Sequence, residues 1–157
     1  MKPTHAIQYV IPILLFLSLS FTVQASTDSN YINSGDSLWS QGKLEAAETD
    51  FRNELKVNPE SSVAHQRLAS LYLTQNKTKE AIDEYQNAIT LDSENPKLFL
   101  GIAIAYLHLK YYVMAETMVM QAIELNPELE QAKKLKTYID AKKDVVSAHP
   151  EINKALK

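Results

Sequence analysis

From Ala81 to Leu91 the chain reads AIDEYQNAITL, and Ala81, Ile82, Tyr85, Ala88, Ile89 and Leu91 fall mostly three or four positions apart. On a helix this spacing gathers the apolar side chains into one stripe. The stripe ends where Asn95-Pro96 breaks the chain. Similar stripes recur along the sequence and predict helices over about residues 28–41, 44–57, 61–75, 78–91, 95–109, 111–125 and 127–145. Gly42, Asn76-Lys77 and Lys110 mark short turns between paired helices, and Asn58-Pro59 and Asn126-Pro127 end the first and third pairs. No strand-like alternation persists, so the expected class is all-α.

A lone amphipathic helix cannot bury its own stripe. Displacing the sequence against itself by about 34 residues shows what the helices pack against. Ala47, Ala81 and Ala115 coincide, as do Gly35, Ala69 and Ala103. So do Leu38, Tyr72 and Tyr106; Phe51, Tyr85 and Val119; Leu55, Ile89 and Ile123; and Val57, Leu91 and Leu125. The small residues are expected where helices cross closely, and the large ones fill the spaces between.

These positions resemble the tetratricopeptide repeat family. The family's pattern of a large residue, an aliphatic-then-small pair and an aromatic is met by His65, Leu68-Ala69 and Tyr72, and by Phe99, Ile102-Ala103 and Tyr106. It is met more weakly by Tyr31, Ser34-Gly35 and Leu38. The resemblance covers about residues 28–129, as repeats of about 28–61, 62–95 and 96–129 within a domain of residues 26–146. It implies a right-handed α-solenoid of antiparallel helix pairs whose usual role is to hold protein partners. Ser34 and Glu54 stand where later repeats have aliphatic or small residues, so a looser, more solvated first repeat is expected. Ser93 replaces a terminal proline. Residues 127–146 form a polar last helix with Ala132, Leu135 and Ile139 as its stripe, the pattern of a capping helix. Residues 147–157 are expected to be a flexible tail.

By the same resemblance, the first helix of each repeat lines a concave face. The expected groove residues are Ile32, Asp36, Trp39 and Ser40; Val63, Gln66, Ser70, Leu73 and Thr74; and Lys97, Leu100, Ile104, Leu107 and His108. Lys134 and Tyr138 of the last helix close one end. Trp39 is the only tryptophan, and Leu73, Leu100, Ile104 and Leu107 exceed what the core stripe requires. Such a face is expected to take a partner. Its alternative is coverage by the last helix or by the N-terminal segment; a second copy burying the same face counts as a partner. Some family members grip a terminal carboxylate with lysine, arginine and asparagine. The matching positions here are Ile32, Asp36, Ser70, Lys97 and Gly101, of which only Lys97 is of the right type. A peptide or helix with apolar anchors is therefore the expected ligand.

The N-terminal composition adds a cellular setting. Residues 7–23 read IQYVIPILLFLSLSFTV after a single lysine, Lys2, and before Val23-Gln24-Ala25. This is the order of a secretory signal, with cleavage expected between Ala25 and Ser26. An uncleaved membrane anchor is the alternative reading. Export to a bacterial periplasm is expected, with secretion or inner-membrane anchoring as alternatives. The net charge of −3 argues against a nucleic-acid partner, since phosphate needs a positive surface. With no cysteine, disulfides, thiolate metal sites and cysteine nucleophiles are excluded.

No other reactive constellation stands out. His65 occupies a packing position, and His108 is followed four residues later by Tyr112. HExxH and glycine-rich phosphate loops are absent from the sequence. The acidic pairs Glu45/Glu48, Asp83/Glu84 and Glu128/Glu130 read as solvated charge. The expectation is a non-enzymatic interaction scaffold without cofactor or metal. The competing expectation is a permanent structural subunit of an envelope or secretion complex.

Overall fold

The computed structural model describes residues 30–148, all of which lie in helices or the turns between them. The expected leader and its cleavage site, and the tail from residue 149 on, lie outside the described residues. The helices are α1 (Asn30–Ser40), α2 (Leu44–Val57), α3 (Ser62–Thr74), α4 (Thr78–Leu91), α5 (Pro96–His108), α6 (Tyr112–Leu125) and α7 (Glu130–Ala148). Each bound falls within a few residues of the expectation. The largest shift is at α7, where Asn126 instead closes a turn by accepting the Glu128 amide through its side chain (3.0 Å) and the Leu129 amide through its carbonyl (3.1 Å).

The turns inside the three pairs have one geometry. Gly42, Asn76 and Lys110 all adopt positive φ, of 75°, 59° and 61°. The amides of Lys43, Lys77 and Tyr111 reach back to the carbonyls of Leu38, Tyr72 and Tyr106 at 3.0, 2.9 and 2.9 Å. This is the wide backbone loop that closes a helix on a left-handed residue. New pairs begin with side-chain caps: Ser61 Oγ accepts from the Ala64 amide, and Asn95 Oδ1 accepts from the Lys97 amide with Pro96 in the first turn.

Helices pack in chain order, α1 on α2 through α6 on α7. In addition α1 meets α3 and α3 meets α5, whereas the second helices make no comparable contacts among the described residues. A stack whose first helices approach more closely than its second helices curves around the first, so α1, α3 and α5 line the inner side. Ala47, Ala69, Ala81, Ala103 and Ala115 are fully buried at the crossings, as the 34-residue alignment requires.

Two buried clusters make up the core. One joins Phe51, Leu68, Leu71 and Tyr72; the other joins Tyr85, Ile102, Tyr106, Val119 and Ile139; Leu73 packs against both. The expected solvation of the first repeat at Glu54 is not found: Glu54 is only 3% exposed and packs like Ala88 and Ala122, its register equivalents. Phe51 also fills the space above Gly35, where a Cβ would lie 2.4 Å from the ring.

The register explains why the stack turns polar at α7. Ala132 and Ile139, which face α6, are buried as Leu98 and Ala105 are on α5. The positions that on α5 hold Ile102, Ala103 and Tyr106, all buried in the cluster with Val119, hold Lys136, Thr137 and Asp140 on α7. Lys136 bonds Asp140 at 2.8 Å on that polar face.

Candidate functional site

The inner face is built from the first helices and α7. At its first-repeat end, Ile32 and Trp39 are half-buried on the first cluster, and Trp39 meets Phe51 edge-on with centroids 6.4 Å apart. Trp39 is thus partly a core residue. Ser40 is exposed, with Oγ on the Ser37 carbonyl at 2.7 Å. Asp36 accepts the Arg67 Nε–H at 2.8 and 3.0 Å, tying α1 to α3.

In the middle, Ser70 and Tyr85 share a hydroxyl hydrogen bond of 2.9 Å. Tyr85 comes from α4, and it reaches the inner layer because Gly101 has no side chain: a Cβ there would stand 2.4 Å from the tyrosine ring and 2.6 Å from its oxygen. Burial raises the Tyr85 pKa, while the Ser70 bond and the nearby Arg67 charge pull it back. Gln66 is half-buried, Thr74 is exposed and bonded to the Leu71 carbonyl, and Leu73 lies between the clusters.

At the far end, Leu100 and Leu107 are half-buried on the second cluster, so they belong partly to the core rather than wholly to a surface patch. Lys97, His108 and Lys134 are exposed. Along the whole inner face, the expected groove positions leave three large apolar side chains open: Val63 at 45%, Ile104 at 37% and Tyr138 at 52%. The Lys142 ammonium lies 5.3 Å from the Tyr138 ring centroid.

The outer side carries a polar network that the sequence did not reveal. Glu48 accepts from Arg52 and from the Tyr72 hydroxyl, each at 3.0 Å, with Lys77 at 3.7 Å; Arg52 also bonds the Tyr72 oxygen. Burial alone would raise the Glu48 pKa, but these hydrogen bonds and charges outweigh it and hold the carboxyl below its ordinary value. Burial, reinforced by the neighbouring carboxylate, pushes Tyr72 up to about 12. His65 Nδ1 lies 2.6 Å from Glu84 Oε2. Glu48 and Glu84 therefore bridge helices, contrary to their reading as merely solvated charge. Farther along, Tyr111, Tyr112, Val113, Met114 and Val146 border an open cleft of about 430 Å³ between the start of α6 and the end of α7.

Among the described residues, no group of three or more His, Cys, Asp or Glu could hold a metal ion, and no helix is long and apolar enough to cross a membrane. Arg67 and Lys142 are groove-side residues that sequence reasoning missed, and the buried Tyr85 reaches the same layer from α4. In the sequence Tyr85 stands only on the apolar stripe of its helix, in register with Phe51 and Val119. The signal for Arg67 was a charge at the register position that Gly101 and Leu135 occupy in the following units.

Stacked antiparallel helix pairs, curved around their first helices and followed by a half-polar helix, define an α-solenoid repeat protein. The chain belongs to the tetratricopeptide repeat family: two models described as tetratricopeptide repeat match residues 32–96 and 72–139. It is 34% identical over 68 residues to the type IV pilus assembly protein PilF of Pseudomonas aeruginosa, covering 43% of this chain and 27% of that protein. It is 28% identical over 117 residues to the human protein O-mannosyl-transferase TMTC3, covering 74% of this chain and 13% of that protein. The chain thus spans under a third of either relative. Among solved structures, the Sgt2 TPR domain from Aspergillus fumigatus superposes with a TM-score of 0.73 at 14% identity, over 77% of this chain and 82% of that one. The first TPR domain of Spaghetti (RPAP3) bound to the HSP90 peptide SRMEEVD gives 0.69 at 20% identity, over 72% and 90%. These likenesses show the fold.

Proposed function

We propose that this protein is a non-enzymatic scaffold that holds a peptide or helix of another protein on its inner face. The observation that carries this reading is the exposure of Val63, Ile104 and Tyr138 on α3, α5 and α7, at inner register positions. Exposed apolar side chains grouped on one face mark interaction surfaces. That the RPAP3 domain of this fold holds an HSP90 peptide supports the same use here. The mode differs from a grip on a terminal carboxylate, because Ile32, Asp36, Ser70 and Gly101 replace the residues such a grip requires.

The setting we propose is the bacterial envelope, with export to the periplasm. The leader-like residues 1–25 support it, as does similarity to a type IV pilus assembly protein. A second reading, a fixed subunit of an envelope complex, is favoured by the apolar cleft beside Val113 and Met114 on the outer side.

Photo-crosslinking in the native host tests both. A probe at Ile104 is expected to capture a partner that a matched probe at Asp83 does not. Capture of the chain's own segments or of a second copy from Ile104 would mean that the face is covered. Capture from Val113 alone would favour the fixed subunit.

A further inference from the structure

The chain carries a net charge of −3, yet its inner face is basic. At the inner register positions of α1, α3, α5 and α7 the only charged residues are Asp36, Lys97, Lys134 and Lys142, and Asp36 is engaged by Arg67. The Arg67 guanidinium is held in an unusual way. Only its Nε–H bonds Asp36, donating to both carboxylate oxygens. Its two terminal NH₂ groups have no hydrogen-bond partner among the described residues, and the side chain is 35% exposed. A guanidinium anchored by one edge still presents a planar pair of donors that matches a carboxylate. Beside it is the Ser70–Tyr85 hydroxyl pair. When Tyr85 donates to Ser70, the Ser70 O–H is left to donate outward.

We infer that Arg67, aimed by Asp36, binds an aspartate or glutamate side chain of the partner, and that the groove's ligand is an acidic segment with apolar anchors. This rests on the inner-face reading above. The carboxylate is a side chain within the segment rather than a chain end. Arg67 stands on α3, mid-stack, with groove residues continuing toward Trp39 on one side and Tyr138 on the other. A terminal carboxylate at Arg67 would leave half of that face empty. The lysines toward α7 add long-range attraction, which speeds encounter more than it sets affinity.

The test is selection of random 12-residue displayed peptides on the full chain and on Arg67→Gln, followed by anisotropy titration of synthetic, C-terminally amidated winners. The wild type is expected to enrich apolar residues at fixed spacing around one acidic position. Replacing that Glu by Gln in the peptide should weaken binding about tenfold, the scale of one charge-assisted hydrogen-bonded pair. Arg67→Gln should abolish that discrimination while still binding the apolar anchors. Because Arg67→Gln also removes the tie to α1, Asp36→Asn serves as a second variant, expected to keep the preference for Glu. Apolar peptides without an acidic position, a Glu preference that survives Arg67→Gln, or a preference that requires a free C-terminus would overturn the inference and leave the groove reading standing. No enriched peptide at all from the wild type would overturn both.

Discussion

The ring of Tyr85 on α4 occupies the place where Gly101 on α5 would carry a side chain, with the tyrosine Cε1 and Cζ both 2.4 Å from an added Cβ. One repeat later the volumes are exchanged: Val119 takes the tyrosine position, Leu135 takes the glycine position, and both lie in the second cluster. Gly101→Leu alone is expected to overpack the site and cost about 1–3 kcal/mol. Combining it with Tyr85→Val should restore more than half of the loss, since the pair then copies Val119 and Leu135. Urea denaturation of the four members of this cycle measures the coupling, and simple additivity would contradict the volume exchange.

Lys110 holds a left-handed backbone at φ 61°, in the turn where Gly42 stands one pair of repeats earlier. A side chain there carries a steric cost that glycine avoids. Lys110→Gly should raise stability by about 0.5–1 kcal/mol, Asn76→Gly by less because asparagine tolerates this region. Gly42→Ala should lower it. Thermal melts of the three variants give the signs directly.

Ala81 is fully buried where α4 crosses its neighbours. Ala81→Leu should destabilise by about 1–3 kcal/mol through overpacking. An unchanged melting temperature would show that the crossing has room the packing does not indicate.

The Glu48 network makes stability depend on pH in a defined direction. The Glu48 carboxyl is held below its ordinary pKa by Arg52, Tyr72 and Lys77 against the opposing effect of burial. Its contribution is therefore complete above the unfolded-state value of about 4.3 and is lost as pH falls through the lower folded value. The stability gap between wild type and Glu48→Gln should be widest near neutrality and close on acidification. Tyr72 acts at the other end: its folded pKa of about 12 lies above the ordinary 10, so its contribution fades as pH rises through that window, and Tyr72→Phe should remove that loss. Denaturant midpoints at pH 3, 7 and 11 read both effects.

The helices, their pairing and the inner turns were legible in the sequence because they rest on local and periodic signals. Spacing of three and four places a stripe, a proline or asparagine ends it, and recurrence at about 34 residues says which helices are equivalent. Ala69, Ala81, Ala103 and Ala115 are buried where that alignment puts them. The tertiary structure decided what depends on reach across helices. Glu54 differs from its repeat equivalents in sequence but shares their burial, because its backbone position faces the same crossing whatever side chain it carries. Leu100 and Leu107 look like surplus apolar surface in one dimension, yet they lean on a cluster assembled from α3 to α7. The Asp36–Arg67 and Ser70–Tyr85 pairs join residues 31 and 15 positions apart, and no periodicity of a single helix encodes which long side chains will meet. Repetition fixes where each backbone lies. Which side chains touch across the stack depends on the volumes and charges of neighbours brought together only by folding.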